Sequence, residues 1–296
     1  MTQMIQDSPM VREPNQDVVV HMQQVSFAYG AKQLFSALDL ELKKGNIYGL
    51  LGKNGAGKTT LLKILSGQLF CEEGAVRTLD DDPRMRKPSL LSEIFYLPEE
   101  FPLPKMKASE YLAMRSPFYP KFDHSKFQAY CKEFDVDLSQ RLDQMSLGQK
   151  KKVLLSFGLA SNTSLLILDE PTNGLDIPSK RQFRQTVASA MTENRTFIIS
   201  THQVRDMENL IDPIIILHDG KVIFNDTVAS MSDRYVLSLT TSKPEFEQSV
   251  YTEKVLGGWM VLKERDDEQE GKPLDLETLF NVVIELSRSQ KMGGVQ

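Results

Sequence analysis

The sequence predicts an α/β fold with N-terminal antiparallel β strands, a largely parallel sheet covered by helices, an inserted helical subdomain and a small C-terminal α+β extension. Three observations carry that prediction. Short apolar runs alternate with stretches of helical period, the pattern that builds a parallel sheet through crossover connections. Between Pro98 and Met145 the strand pattern stops, and an aromatic, helix-like stretch replaces it. After Asn225 the composition shifts again. With 41% hydrophobic and 25% charged residues over 296 positions, the chain has the make-up of a globular protein and the length for one large domain plus an accessory piece. That composition excludes disordered, collagen-like and disulfide-scaffold classes.

The elements follow in order. Residues 1–17 are polar, contain two prolines and lack the apolar core of a signal peptide, so they read as a loose tail. Strand-like runs begin at Val18–Val20 and continue as Val25–Phe27, Leu38–Leu42 and Ile47–Leu51, punctuated by turns at Gly30 and Gly45. A Gly-rich segment leads into a stretch with Leu61, Ile64 and Leu65 at helical spacing. Later strands are expected at Ile94–Leu97, Leu165–Asp169, Phe197–Ser200 and Ile214–Leu217, with helices at Gln149–Ala160 and Pro178–Glu193. The helical subdomain, about residues 98–160, is rich in aromatics from Tyr111 to Phe134, which are expected to fill a small core rather than to form a docking surface. Residues 227–296 carry strand candidates at Tyr235–Leu239 and Trp259–Leu262 and a charge-dense loop at Lys263–Lys272. A final amphipathic helix presents Leu276, Leu279, Phe280 and Val283 on one face. The expected organisation is thus a tail (1–17), a main domain (18–226) and an accessory segment (227–296), the last read as a packed extension.

Bulk properties also bound function. The longest apolar stretches are strand-sized, far short of the roughly 20 residues a membrane span needs. A net charge of −5 argues against nonspecific nucleic-acid binding, which relies on a basic footprint. Cys71 and Cys131 are far apart and match no metal-ligand spacing. They read as small buried hydrophobes in a reducing compartment, so the chain is expected to be cytoplasmic.

Gly52-Lys53-Asn54-Gly55-Ala56-Gly57-Lys58-Thr59 matches G-x-x-x-x-G-K-[ST] between an apolar strand and a helix. Glycines let successive backbone N–H groups curl around phosphate oxygens, and the following helix adds the positive end of its dipole. Lys58 is placed to reach the β/γ-phosphates and Thr59 to ligate Mg²⁺, with Thr60 beside it in the nucleotide-binding set. At average residue frequencies such a match is roughly a one-in-a-hundred event in a chain of this length, so the sheet is expected to be that of a P-loop NTPase. Leu165–Leu168 then runs into Asp169 and Glu170. A buried parallel strand ending in a carboxylate delivers it to the sheet edge where ligands of open α/β sheets bind. Asp169 is the candidate for Mg²⁺ and Glu170 for the general base.

Asp169-Glu170-Pro171-Thr172-Asn173-Gly174-Leu175-Asp176 resembles the joined magnesium-site and D-loop stretch of ATP-binding cassette (ABC) ATPases. Ser146-Leu147-Gly148-Gln149 upstream resembles the cassette signature, Ser200-Thr201-His202 the switch-histidine region, Tyr96-Leu97-Pro98-Glu99 the Q-loop, and Phe27-Ala28-Tyr29-Gly30 the loop that stacks on adenine. The motifs occur in the family's order. The resemblance implies ATP and Mg²⁺ as ligands, Tyr29 stacking on adenine, His202 sensing the γ-phosphate, and Glu99 near the metal. It also implies head-to-tail dimers of like or related subunits, with Ser146, Gly148 and Gln149 contacting the γ-phosphate in trans and Asp176 linking the two sites. His21, His124 and His218 have no such context and read as ordinary surface or core residues; Lys150–Lys152 reads as a solvated helix face.

Three positions depart from the pattern: Leu147 replaces the first signature glycine, Glu99 the Q-loop glutamine and Lys53 the commoner proline. Serine, second glycine and glutamine keep the signature's hydrogen-bonding set, so an active site is expected. The modified signature and the Tyr-Leu-Pro-Glu-Glu stretch are similar to bacterial ATPases serving antibiotic or multidrug exporters. The expected function is therefore ATP hydrolysis that powers an integral-membrane permease on a separate chain, with this subunit peripheral on the cytoplasmic face of the membrane. The alternative is a soluble cassette ATPase acting on nucleic acid or ribosomes. Such relatives carry coiled coils, zinc sites or paired cassettes, and none of these is visible here. A GTPase would need an Asn-Lys-x-Asp motif, also missing.

Overall fold

A computed structural model describes residues 17–242, 249–265 and 274–293. Asp17, the one described residue of the expected tail, pairs with Lys44; most of the charge-dense loop at 263–272 lies outside the described residues. Strands β1 (Val18–Tyr29) and β2 (Lys32–Lys43) form an antiparallel hairpin, followed by β3 (Ile47–Leu51), α1 (Lys58–Leu65) and β4 (Glu73–Thr78). The short α2 (Pro88–Leu91) precedes β5 (Ile94–Leu97). Next come α3 (Ala108–Arg115), α4 (His124–Glu133) and α5 (Leu147–Ala160), then β6 (Leu165–Asp169), α6 (Ile177–Ala190) and β7 (Thr196–Thr201). A hairpin of β8 (Ile214–His218) and β9 (Lys221–Asp226) closes the main sheet. The remainder is α7 (Val228–Arg234), β10 (Tyr235–Thr240), β11 (Tyr251–Val255), β12 (Gly258–Glu264) and α8 (Leu276–Gly293).

The main sheet has the order β5-β6-β7-β3-β8-β9, parallel except for β9 at one edge. A second sheet, β2-β1-β4, is antiparallel, as is the C-terminal β10-β12-β11. Alternation along each central strand divides the core in two. Leu165 and Ile167 of β6, Ile198 of β7, and Ile215 and Leu217 of β8 face α1 and the antiparallel sheet. Leu166, Leu168, Phe197, Ile199, Ile214 and Ile216 face the helical insertion, α6 and the C-terminal segment. Both faces are covered, which is why these strands read as continuous apolar runs.

Several elements differ from expectation. The runs at Val18–Val20 and Val25–Phe27 are one strand, interrupted by a bulge at which Gln24 takes φ 50°. There the Gln24 backbone N–H and side-chain amide donate to the two oxygens of Asp39 at 2.8 and 2.7 Å. Strands β4 and β9 are not expected from the sequence because each is an edge with few buried apolar residues. The Asp219-Gly220 turn, with both residues at positive φ, is nonetheless a hairpin signal in the sequence. Helix α6 starts and stops earlier than expected: Asp176 caps it, and Met191 is already extended.

The aromatics of the insertion form a core, as expected. Phe157, 1% exposed, has ring centroids of Phe122, Tyr119, Phe95, Tyr111 and Phe127 within 4.9–6.4 Å. Phe118 is the exception, being largely exposed. Phe157→Ala is expected to cost about 3–5 kcal/mol, since the ring's burial and the resulting cavity both count. A fall in the denaturant midpoint measures it, and an unchanged midpoint would show that the insertion is not held by this cluster.

The C-terminal segment joins the same core. From α8, Leu276, Leu279, Val282, Val283 and Ile284 are buried, while Phe280 is only partly so. Arg205 and Glu277 pair across the surface at 2.6 Å. Among the described residues no helix is long and apolar enough to cross a membrane.

Candidate functional site

Strand β3 lies at the middle of the sheet, and its C-terminal end opens into the loop Gly52–Gly57. Gly57 adopts φ 106°, and a Cβ there would stand 2.7 Å from the Phe35 ring, so no other residue fits where the loop turns into α1. No side chain caps α1, an arrangement whose first N–H groups can receive an anion. Lys58, buried at 6% exposure, donates to the Gly52 carbonyl at 2.8 Å and lies 3.8 Å from Glu170 Oε1.

Strand β7 sits between β3 and β6, so the ends of three strands converge. Asp169, 1% exposed, accepts from Thr59 Oγ1 on Oδ2 at 2.7 Å and from Ser200 on Oδ1. The Tyr96 hydroxyl reaches the same Oδ2 at 3.5 Å. Burial and the neighbouring carboxylate push the Tyr96 pKa well above its ordinary value, so this hydroxyl stays a donor. Glu170, also buried, has φ 47°, and its N–H donates to the Ser200 carbonyl and hydroxyl oxygens at 3.2 and 3.0 Å. Its carboxylate lies 2.9 Å from His202 Nδ1 and accepts the His202 backbone N–H at 3.4 Å.

Lys58, Thr59, Asp169, Glu170 and His202 line one cavity of about 430 Å³. Of the residues singled out by sequence, Tyr29, Lys53, Asn54, Gly55, Gly57, Lys58, Thr59, Thr60, Glu99, Asp169, Glu170 and His202 border it; Gly52 and Ala56 belong to the same loop without facing it. Tyr29 is half exposed, with its ring edge-on to Phe27 (centroids 4.9 Å apart) and its hydroxyl 3.3 Å from Thr60 Oγ1. One aromatic face is therefore available at the cavity mouth. Thr59, Asp169 and Glu99 offer hard oxygen donors along the same cavity, the donor chemistry Mg²⁺ takes. Sequence reasoning misses Tyr96 and Ser200 as partners of Asp169, and Lys32 and Leu34 at the cavity rim. A hydroxyl one strand away carries no pattern that would mark it.

Ser146, Gly148, Gln149 and Asp176 do not border the cavity. Ser146 caps α5: its hydroxyl accepts from the Gln149 N–H at 3.2 Å, and the Gln149 side-chain oxygen accepts the Ser146 N–H at 2.9 Å. A Cβ on Gly148 would stand 2.9 Å from the Gly174 carbonyl, so this glycine is needed for the helix to meet the D-loop. Leu147 is exposed and packs its tip over Gly174. Asp176 accepts from the Ser179 N–H at 2.8 Å, and hydrogen bonding from the Ser179 side chain, then from its backbone, holds the Asp176 carboxyl below the usual range. Within the Lys150–Lys152 run the expectation of a solvated face fails at Lys151. It is 1% exposed, and its amine donates to the Glu170 and Asn173 carbonyls at 3.0 and 2.8 Å.

Residues 35–173 match the family model described as ABC transporter. An ABC transporter ATP-binding protein of Methanocaldococcus jannaschii is 30% identical over 251 residues, covering 81% of this chain and 88% of the relative. The SkfA peptide export ATP-binding protein SkfE of Bacillus subtilis is 29% identical over 254 residues, covering 81% and 98%. Among solved structures, the ATP-binding subunit of an ABC transporter superposes with TM-score 0.66 at 23% identity, covering 72% of this chain and 91% of that one. The fold is shared with that subunit.

Proposed function

The chain belongs to the family of ABC transporter ATP-binding proteins, ATPases of membrane transport, and from that premise we propose that it powers an exporter-type permease carried on a separate chain. The observation that carries this reading is the single cavity that gathers Lys58, Thr59, Asp169, Glu170 and His202 below an exposed tyrosine ring, while the signature residues cap a helix outside it. Export is supported by the relative whose name specifies peptide export.

In this reading Tyr29 stacks on adenine and the loop from Gly52 to Thr60 wraps the phosphates. Lys58 sets a positive charge against the β- and γ-phosphates. Thr59, Asp169 and Glu99 hold Mg²⁺, which when bound neutralises charge on the phosphates. Glu170 takes a proton from the attacking water, and His202, hydrogen-bonded to Glu170, orients it and meets the γ-phosphate. Ser146, Gly148 and Gln149 are displayed to the nucleotide of a second subunit, identical or related, with Asp176 at the junction. The ATP-bound dimer is then a sandwich in which each nucleotide is completed by two chains. The subunit sits on the cytoplasmic face of the membrane without nucleic acid as a partner. The insertion, with Phe118 exposed and Glu99 at its root, presents the permease-facing surface.

Purification from gently solubilised membranes tests the proposal. The expected result is recovery with a multi-span protein whose presence changes the ATPase rate. Recovery with ribosomes or DNA instead would overturn the transport reading while leaving the ATPase assignment intact.

A further inference from the structure

Lys151 lies in α5, two residues beyond Gln149, and its side chain crosses the interior instead of reaching solvent. Its amine donates to the Glu170 and Asn173 carbonyls at 3.0 and 2.8 Å, and it is 1% exposed. Burying an ammonium group is costly unless its donors are satisfied. Burial lowers the Lys151 pKa, and the charges of Glu99, Glu170 and Asp169 oppose that shift. A lysine held for packing alone would be replaceable by a methionine of similar length; this one spends its donors on the backbone of one turn.

That turn sets the aim of Glu170. Glu170 takes φ 47°, in the left-handed region that strains a non-glycine residue. Its N–H side is tied to Ser200. Its C=O side accepts from both the Asn173 N–H at 3.2 Å and Lys151. Asn173 is itself bound through its side chain, donating to Glu99 at 2.9 Å and accepting from Gln203 at 3.3 Å. The amine thus closes the clamp that directs the Glu170 carboxylate toward His202.

We propose that Lys151 is a positioning residue for hydrolysis, a cross-strut that fixes the aim of Glu170 and ties it to the helix whose cap, Ser146 to Gln149, engages the other nucleotide of the dimer. The proposal rests on Glu170 being the general base. One lysine then connects a group serving one ATP to groups serving the second, so displacement of α5 at one site is felt by the base at the other.

Single-turnover ATP hydrolysis by the purified full chain, together with nucleotide affinity, tests this in Lys151→Met, Lys151→Gln, Glu170→Gln and the Lys151→Met/Glu170→Gln double variant. Lys151→Met is expected to lower the hydrolysis rate about 10–100-fold with ATP affinity within about twofold. Lys151→Gln, a shorter donor, should recover part of the loss. Because Lys151 acts through Glu170, the double variant should be no slower than Glu170→Gln alone. A wild-type rate in Lys151→Met overturns the proposal, as does a double variant in which the two losses multiply, or a loss of ATP affinity equal to the loss of rate. If Lys151→Met does not fold, Lys151→Gln alone and combined with Glu170→Gln decides by the same comparisons. Undiminished hydrolysis by Glu170→Gln is a separate outcome, which removes the base assignment itself.

Discussion

Glu170→Gln should reduce ATP turnover about 10²–10⁴-fold, the range a positioned general base supplies, while the affinity for Mg-ATP stays within about twofold. The expectation follows from how the carboxylate is held. Its oxygens face His202 at 2.9 and 3.4 Å and approach Lys58 at 3.8 Å, with the Glu170 side chain itself buried. Glutamine keeps the size and can still accept the His202 N–H, so the loop conformation and the phosphate cradle survive. What is lost is the capacity to take a proton. The variant should therefore accumulate as an ATP-bound dimer, which size-exclusion chromatography with ATP would detect. Turnover within threefold of wild type would move the base elsewhere, with His202 the next residue to test.

Much of this site is legible in the sequence because phosphate chemistry imposes local patterns. A loop of six residues between a strand and a helix must carry glycine where Gly57 turns against Phe35, and a strand that delivers a carboxylate to the sheet edge must read as an apolar run ending in Asp169. Such constraints lie within a few residues of each other. The interactions that escape notice join residues distant along the chain: Ser200 and Tyr96 on Asp169, 31 and 73 positions away, and Lys151 on Glu170, 19 positions away. Lys151 misleads for a definite reason. A run of three lysines on a helix is ordinarily solvated, and nothing in its local pattern shows that the helix turns its middle lysine inward. The same logic covers the fold. Central strands buried on both faces are evident, whereas β4, an edge with half-polar faces, becomes visible only through its pairing partner, and β9 is signalled only by the Asp219-Gly220 turn before it.

Lys58→Met should weaken ATP binding by about 2–3 kcal/mol, roughly 30- to 150-fold in Kd, the worth of one or two charge-assisted hydrogen bonds to phosphate. The protein should remain folded, because methionine fills most of the space of the lysine stem and gives up only the hydrogen bond to the Gly52 carbonyl and the long ion pair with Glu170. Those two interactions also explain why the effect falls on binding as well as on rate. Lys58 is buried at 6% exposure and held in place by its own loop, so no side-chain freedom is lost when phosphate arrives, and the whole interaction appears in affinity. Glu170→Gln and Lys58→Met thus separate cleanly: the first leaves the nucleotide bound and uncut, the second leaves it largely unbound. Isothermal titration with a slowly hydrolysed ATP analogue distinguishes them. A Lys58→Met protein that binds ATP as tightly as wild type would show that the backbone N–H groups of the loop and α1 carry the phosphate interaction alone, and the lysine would then have to be assigned to the transition state.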